Sequence, residues 1–217
     1  MSFLGRASYS YDSRYILTGT FRADGSSKFK GSNKWCFFPS FAFAWNINRE
    51  PWYTATRMLT EAKLRLGWGR VGNQAIANYQ TMSPYSNWRI GDPSEGGAGY
   101  EVGIGPSIIS NADLRWETTE QYNAGIDLSF LYGRVRFGAD FYHKMTKDLL
   151  QQKTIALSSG FTSMYMNQGS VRNMGFELTI EATAVSTRDF SWSLNGNISV
   201  NKNRIMRIGN LGENGDI

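Results

Sequence analysis

The sequence predicts an all-β fold, an antiparallel transmembrane β-barrel segment of about eight strands. Three observations predict it. Oily and wet residues alternate with a period of two in segment after segment, which in a strand sends them to opposite faces. The alternating runs match the roughly 9–11 tilted residues that cross a bilayer as a strand. Tight connections also alternate with long ones, as in outer-membrane barrels with short inner turns and long outer loops.

Taken in order, Phe3, Gly5, Ala7, Tyr9 and Tyr11 form the oily face of a first strand, and Tyr15, Leu17, Gly19, Phe21 and Ala23 that of a second. Asp12-Ser13-Arg14 turns between them. Phe37, Pro39, Phe41, Phe43 and Trp45 give a third strand, and Leu64, Leu66 and Trp68 a fourth. Trp116 through Phe130 is the fifth, with Tyr122, Ala124, Ile126 and Leu128 opposed by Gln121, Asn123, Gly125 and Asp127. After Leu131-Tyr132-Gly133 comes a sixth, with Val135, Phe137, Ala139 and Phe141 on the oily face. Met174, Phe176, Leu178, Ile180, Ala182 and Ala184 mark the seventh. A turn at residues 185–189 leads to the eighth, where Phe190, Trp192, Leu194, Gly196, Ile198 and Val200 alternate with Ser and Asn.

Composition agrees. The 217 residues are 14% aromatic with 23 Gly and 5 Pro, and no stretch approaches the roughly 20 apolar residues of a transmembrane helix. The mean hydropathy of −0.39 has the look of a soluble chain, but half of each barrel strand faces water, so the average conceals the membrane face. A net charge of +5 is spread over strands and loops rather than interleaved with aromatics, which argues against nucleic acid as a partner. A single cysteine, Cys36, leaves no intrachain disulfide or thiolate cluster, and a single histidine, His143, leaves the common zinc spacings unfilled. Gly96-Gly97-Ala98-Gly99 lacks the Lys and Ser/Thr of a phosphate loop. Glu177 and Glu181 share one strand face, which suits lumen lining better than a glycosidase pair. No enzymatic activity is expected.

The tight connections are 12–14, 131–133 and 185–189; the long ones are 24–34, 72–114 and 145–167. Residues 46–62 break the pattern, being long on the inner side, and Glu50-Pro51 followed by 52–59 reads as a helical turn because Pro suits a first helical position. Tyr9, Tyr11, Tyr15, Trp45, Phe130, Tyr132, Phe190 and Trp192 cluster beside the inner connections as an interfacial belt. A soluble β-sandwich shows the same alternation and stays open on composition alone.

Several longer motifs resemble one family. Phe21 through Phe29 (FRADGSSKF), Asn33-Lys34-Trp35, Phe38-Pro39-Ser40, Gly72-Asn73-Gln74 and Asn111 through Asn123 (NADLRWETTEQYN) resemble the SusC/RagA family of TonB-dependent outer-membrane transporters. So do Lys147-Asp148-Leu149-Leu150, Gly160 through Met164 and Asn167 through Val171, so that the resemblance runs along essentially the whole chain. It implies a barrel of about 22 strands with a plugged lumen, of which residues 1–217 are a partial β-barrel domain. It also implies a SusD-like surface lipoprotein as partner and energy from the TonB complex acting through a plug. The substrate class would be a glycan, an oligosaccharide or a peptide, the location the outer membrane of a Gram-negative bacterium, and no cofactor is expected. Because Met1 runs straight into a strand, the plug and the closing strands are expected to lie outside this sequence.

The Gly25-Ser26-Ser27 turn, with Arg22 and Asp24 beside it, reads as a structural loop. Candidate ligand-binding residues fall on the longest connection. Tyr79, Tyr85, Trp88 and Tyr100 offer aromatic platforms, and Asn87, Asp92 and Glu101 offer amide and carboxylate hydrogen bonds, the combination a sugar ring or peptide needs. The same loop could instead be a packed lid against the lipoprotein. A passive porin and a soluble carbohydrate-binding sandwich are the alternative functions.

Overall fold

A computed structural model of the protein describes residues 1–54, 58–90 and 101–208, apart from the side chains of 88–90 and 101. Among the described residues twelve strands follow one another: β1 (Ser2–Tyr11), β2 (Tyr15–Gly25), β3 (Trp35–Asn46), β4 (Glu61–Asn73), β5 (Tyr85–Ile90), β6 (Glu101–Pro106), β7 (Glu117–Phe130), β8 (Val135–Lys147), β9 (Leu150–Thr154), β10 (Ser163–Asn167), β11 (Ser170–Ser186) and β12 (Ser191–Arg207). Eight of them form one sheet in the order β1-β2-β3-β4-β7-β8-β11-β12, every neighbour antiparallel. The sheet is open within this chain. The other four are two hairpins, β5-β6 and β9-β10, carried on the long connections.

Register makes the two faces continuous. Directly paired residues share a face, and one such row runs Tyr15, Trp45, Leu64, Ile126, Ala139, Leu178 and Ile198 from β2 to β12. Another runs Leu17, Phe43, Leu66, Ala124, Phe141, Phe176 and Val200. A slip of one residue on any strand would break every row. Among the described residues nothing covers this apolar face: Phe21, Phe41 and Ile198 are 51%, 50% and 66% exposed. The opposite, inward face carries Arg65, Asp127, Asp140, Arg136, Glu177 and Glu181.

Three expectations are corrected. The stretch 72–114 is not wholly irregular, because β5 and β6 pair inside it. No helix forms over 50–54: a single turn closes there, the Tyr53 N–H donating to the Glu50 carbonyl at 3.0 Å, a short 3-10 turn, Ile47–Arg49, precedes it, and residues 55–57 of the expected stretch lie outside the described residues. The physical reason is the Glu50 side chain, which is buried and held by two strands and so fixes the chain before a helix can start. Finally, the turn expected at 185–189 starts later, because β11 runs on to Ser186 past a bulge between Thr183 and Val185 that sets Val185 opposite Trp192.

The short turns rest on local backbone geometry. Asp12 and Ser13 both have positive φ, 51° and 53°, and the Arg14 N–H donates to the Tyr11 carbonyl at 2.9 Å, the geometry of a type I′ hairpin turn. Leu131 and Tyr132 repeat the pattern at φ 53° and 58°. Neither pair contains the Gly that this turn favours.

Candidate functional site

The long-connection end is organised by a buried core lying where β3 and β4 part. Their pairing ends at Ser40 and Gly69, and the next residue of β3, Pro39, has no N–H to offer a ladder. Phe29, Phe38, Ile76, Leu114 and Trp116 bury together there, joined by the half-buried Cys36, Leu150 and Tyr165. Trp116 is the centre: its ring lies 5.4 Å from Phe29 and meets Phe38 edge-on at 5.6 Å. Gly72 passes against this pair, and a Cβ there would collide with the Phe38 ring. The Arg22 guanidinium covers the same ring at 5.3 Å, a cation–π contact that seals the core from the side.

Polar side chains tie the three outer connections to one another. Lys28 Nζ donates to the Ile76 carbonyl at 2.6 Å, and the buried Thr81 hydroxyl returns a bond to the Lys28 carbonyl at 3.0 Å. Asn33 reaches the Leu114 carbonyl at 3.3 Å. Asn167 pairs with the Arg115 backbone in both directions, at 2.8 and 2.9 Å, and also donates to the Asp148 carbonyl. Glu117 accepts from the Asn73 amide and from the Leu150 N–H, bridging β4, β7 and β9. The Arg115–Asp148 ion pair at 2.7 Å raises the arginine pKa, chiefly through its hydrogen bond to Asp148. Apart from the side-chain pairs Asn73–Glu117 and Arg115–Asp148, these ties satisfy backbone groups of the connections.

Among the candidate ligand residues, Tyr79 is 63% exposed with φ 66°, and Tyr85 is 71% exposed at the start of β5. Asn87 is exposed and two residues on, hence on the same hairpin face as Tyr85. Trp88 pairs with Gly103, and Ile90 with Glu101, at backbone level. Asp92 and Tyr100 lie outside the described residues. The hairpin therefore sets Tyr85 and Asn87 on one face.

The inward wall, where the sequence placed Glu177 and Glu181 as lumen lining, is a second polar surface. Arg65 binds both oxygens of Asp127 at 2.8 Å and Asp140 at 3.0 Å. Gly125 lies beneath this bridge, and a Cβ there would strike Asp140, so β7 carries glycine where two carboxylates share one arginine. Above it a concavity of about 810 Å³ is lined by Asn123, Tyr142, Lys144, Asn173, Glu177 and Asn201. Below it another of about 530 Å³ lies among Lys63, Asp127, Arg136, Thr179 and Glu181. Amide-rich walls of this kind offer donors and acceptors to a hydrated solute. Opposed charges such as Arg65 on β4 and Asp140 on β8 were visible in the sequence; that they meet across β7, over Gly125, was not.

At the short-turn end Glu50 was also missed. Its carboxylate is buried, accepting from Tyr15 Oη at 2.6 Å, from Trp45 Nε1 at 2.8 Å and from Arg14 at 3.4 Å. The Tyr15 bond foremost, then that of Trp45, holds its pKa below the usual 4.5.

Comparison with known proteins places this wall. Residues 2–214 match the family model described as TonB dependent receptor-like, beta-barrel. The chain is 38% identical over 216 residues to the TonB-dependent receptor SusC of Bacteroides thetaiotaomicron, covering 96% of this chain and 21% of that protein. It is 37% identical over 212 residues to the TonB-dependent receptor P26 of Formosa agariphila, covering 97% and 21%. Among solved structures it superposes on the RagAB peptide transporter with a TM-score of 0.83 at 27% identity, over 96% of this chain and 22% of that one. The siderophore receptor PirA of Pseudomonas aeruginosa shares the fold, with a TM-score of 0.56 at 15% identity, over 94% of this chain and 34% of that one. The chain thus spans about a fifth of the length of its curated relatives. With its two-faced sheet and matching register, it belongs to the TonB-dependent receptor family and forms part of that family's β-barrel.

Proposed function

We propose that the protein containing this segment is an outer-membrane importer of a Gram-negative bacterium, taking up glycans, oligosaccharides or peptides with a SusD-like surface lipoprotein and energy from the TonB complex. The observation that carries this reading is the core around Trp116, which locks three outer connections together at one end of a wall whose inner face is polar. SusC and the RagAB peptide transporter, both similar along nearly all of this chain, support it. In this reading the apolar face meets lipid and the amide-rich face lines the lumen. The connection 72–114 presents Tyr79, Tyr85, Asn87, Trp88, Asp92, Tyr100 and Glu101 to substrate or to the lipoprotein lid. A sugar or peptide stacked on one such ring gains on the order of 1 kcal/mol beyond area burial.

The test is uptake by cells carrying the full-length transporter. The double variant Tyr85→Ala, Trp88→Ala should lower uptake several-fold while the barrel still assembles. Wild-type uptake by that variant would remove this connection from substrate recognition.

A further inference from the structure

The upper border of the apolar face carries a cluster of cations. Along the outward face of β12, Trp192, Leu194, Gly196, Ile198 and Val200 are followed by Lys202 and Arg204. At about 3.3 Å per residue and a tilt near 45°, the run from Trp192 to Val200 rises roughly 20 Å, close to the height of an outer-membrane barrel's apolar band. Lys202 therefore stands at headgroup level. Its row continues through Met174 to His143 and Tyr122, whose rings lie 6.4 Å apart. The next row sets Arg204 opposite Arg172, then Met145, Glu120 and Arg70.

Asn173, Asn201 and Asn203 line the inward concavity, so the alternating neighbours Arg172, Lys202 and Arg204 occupy the outward face. Among the described residues no hydrogen bond or ion pair engages the side chains of Arg172 or Lys202, while Arg204 has a partner of its own. Like charges facing each other across a ladder repel. The one carboxylate in these two rows, Glu120, is separated from Arg172 by Met145. Just below, on the same face, an apolar hollow of about 700 Å³ lies among Phe41, Phe43, Leu66, Trp68, Tyr122 and Phe141. Cations above and an acyl-sized hollow below, spread over adjacent strands, match a broad amphiphile with a phosphate head.

We propose that this face binds a phosphorylated glycolipid of the outer leaflet, its phosphate held by Arg172 and Lys202 beside His143 and its acyl chains filling the hollow under Tyr122. The proposal rests on the outer-membrane reading above, and its test does not depend on transport. Full-length protein in detergent is titrated with diphosphoryl lipid A and with the dephosphorylated lipid, and bound lipid is counted by native mass spectrometry. Diphosphoryl lipid A should bind at least tenfold more tightly than the dephosphorylated form, and weaken as ionic strength rises. The double variant Arg172→Gln, Lys202→Gln should lose that preference at least fivefold, whereas Arg6→Gln on β1 should keep it. Heat-modifiable gel migration reports that each barrel is folded, and Leu66→Trp, which fills the hollow without touching a charge, gives an independent loss of binding. Equal binding of the two lipids, or an unchanged preference in the double variant, would overturn the proposal. Diacyl phosphatidylglycerol bound as tightly as lipid A would also overturn it.

Discussion

The two ends of the sheet are built on different principles. At the short-turn end, chain reversal takes a few residues whose backbone angles do the work, as at Asp12-Ser13 and Leu131-Tyr132. At the other end, reversal takes long connections whose structure comes from contacts far apart in sequence. Lys28 bonds to Ile76, Asn33 to Leu114 and Asn167 to Arg115. The short-turn end is thus locally encoded and tolerates local change, whereas the outer end stands or falls as a unit. Residues 47–54 are the instructive exception, a long connection at the short-turn end held by one carboxylate, Glu50, rather than by an apolar core.

The largest expected effect comes from breaking the outer unit at its centre. Trp116→Ala removes a ring that is 6% exposed, a truncation that costs about 3–5 kcal/mol. Hydrogen exchange should accelerate together in 26–34, 74–84 and 107–116, while β7 beyond Tyr122 stays slow. Trp116→Phe sharpens the point, since the indole N–H has no partner among the described residues; packing is kept and exchange should change little. Acceleration confined to 107–116 in the alanine variant would show three independent loops.

Next in size is the acid response of the exception. Because the folded pKa of Glu50 lies below the usual 4.5, its contribution is fully present above that value and is lost as pH falls through the lowered folded value. Protease resistance of 47–54 should hold from neutral pH down to about 5 and decline below it. Glu50→Gln should be cut more readily at neutral pH and show no such decline. A wild-type decline that persists in the glutamine variant would assign it to another group.

The smallest effect is a gain. A non-glycine residue in the left-handed region costs roughly 1–2 kcal/mol, so Ser13→Gly, at φ 53°, should raise the stability of the β1-β2 hairpin by about 1 kcal/mol in thermal unfolding. Destabilisation by Ser13→Gly would mean that the turn is set by its surroundings, such as the Asn46 amide on the Ser13 carbonyl.

What the sequence made legible divides along the same line. The eight wall strands, their faces and the tight turns follow from a period of two and from punctuation, both local signals, and they recur in the sheet with ends shifted by a few residues. β5-β6 and β9-β10 were not legible, because a five- or six-residue strand such as Leu150–Thr154 carries too few alternations to stand out from a loop. The motifs that resembled SusC/RagA proteins were recognised as strings, but their physical role emerged only when Phe29, Phe38, Leu114 and Trp116 were seen buried together. Glu50 was read as a helix start because Pro51 follows it; nothing local announces that Tyr15 and Trp45 reach its carboxylate. Arg65, Asp127 and Asp140 are unremarkable until register brings them to one point.

The central claim, a wall with one face to lipid and one to water, is tested most directly by cysteine labelling of the full-length protein in intact outer membranes, in a Cys36→Ala background. Leu178 and Ile198 pair on the apolar face, while Glu177, Asn195 and Asn197 stand on the other. Single cysteines at 177, 195 and 197 should react with a membrane-impermeant maleimide, and those at 178 and 198 should be spared until detergent is added. Equal labelling of both sets in the intact membrane would contradict the barrel wall.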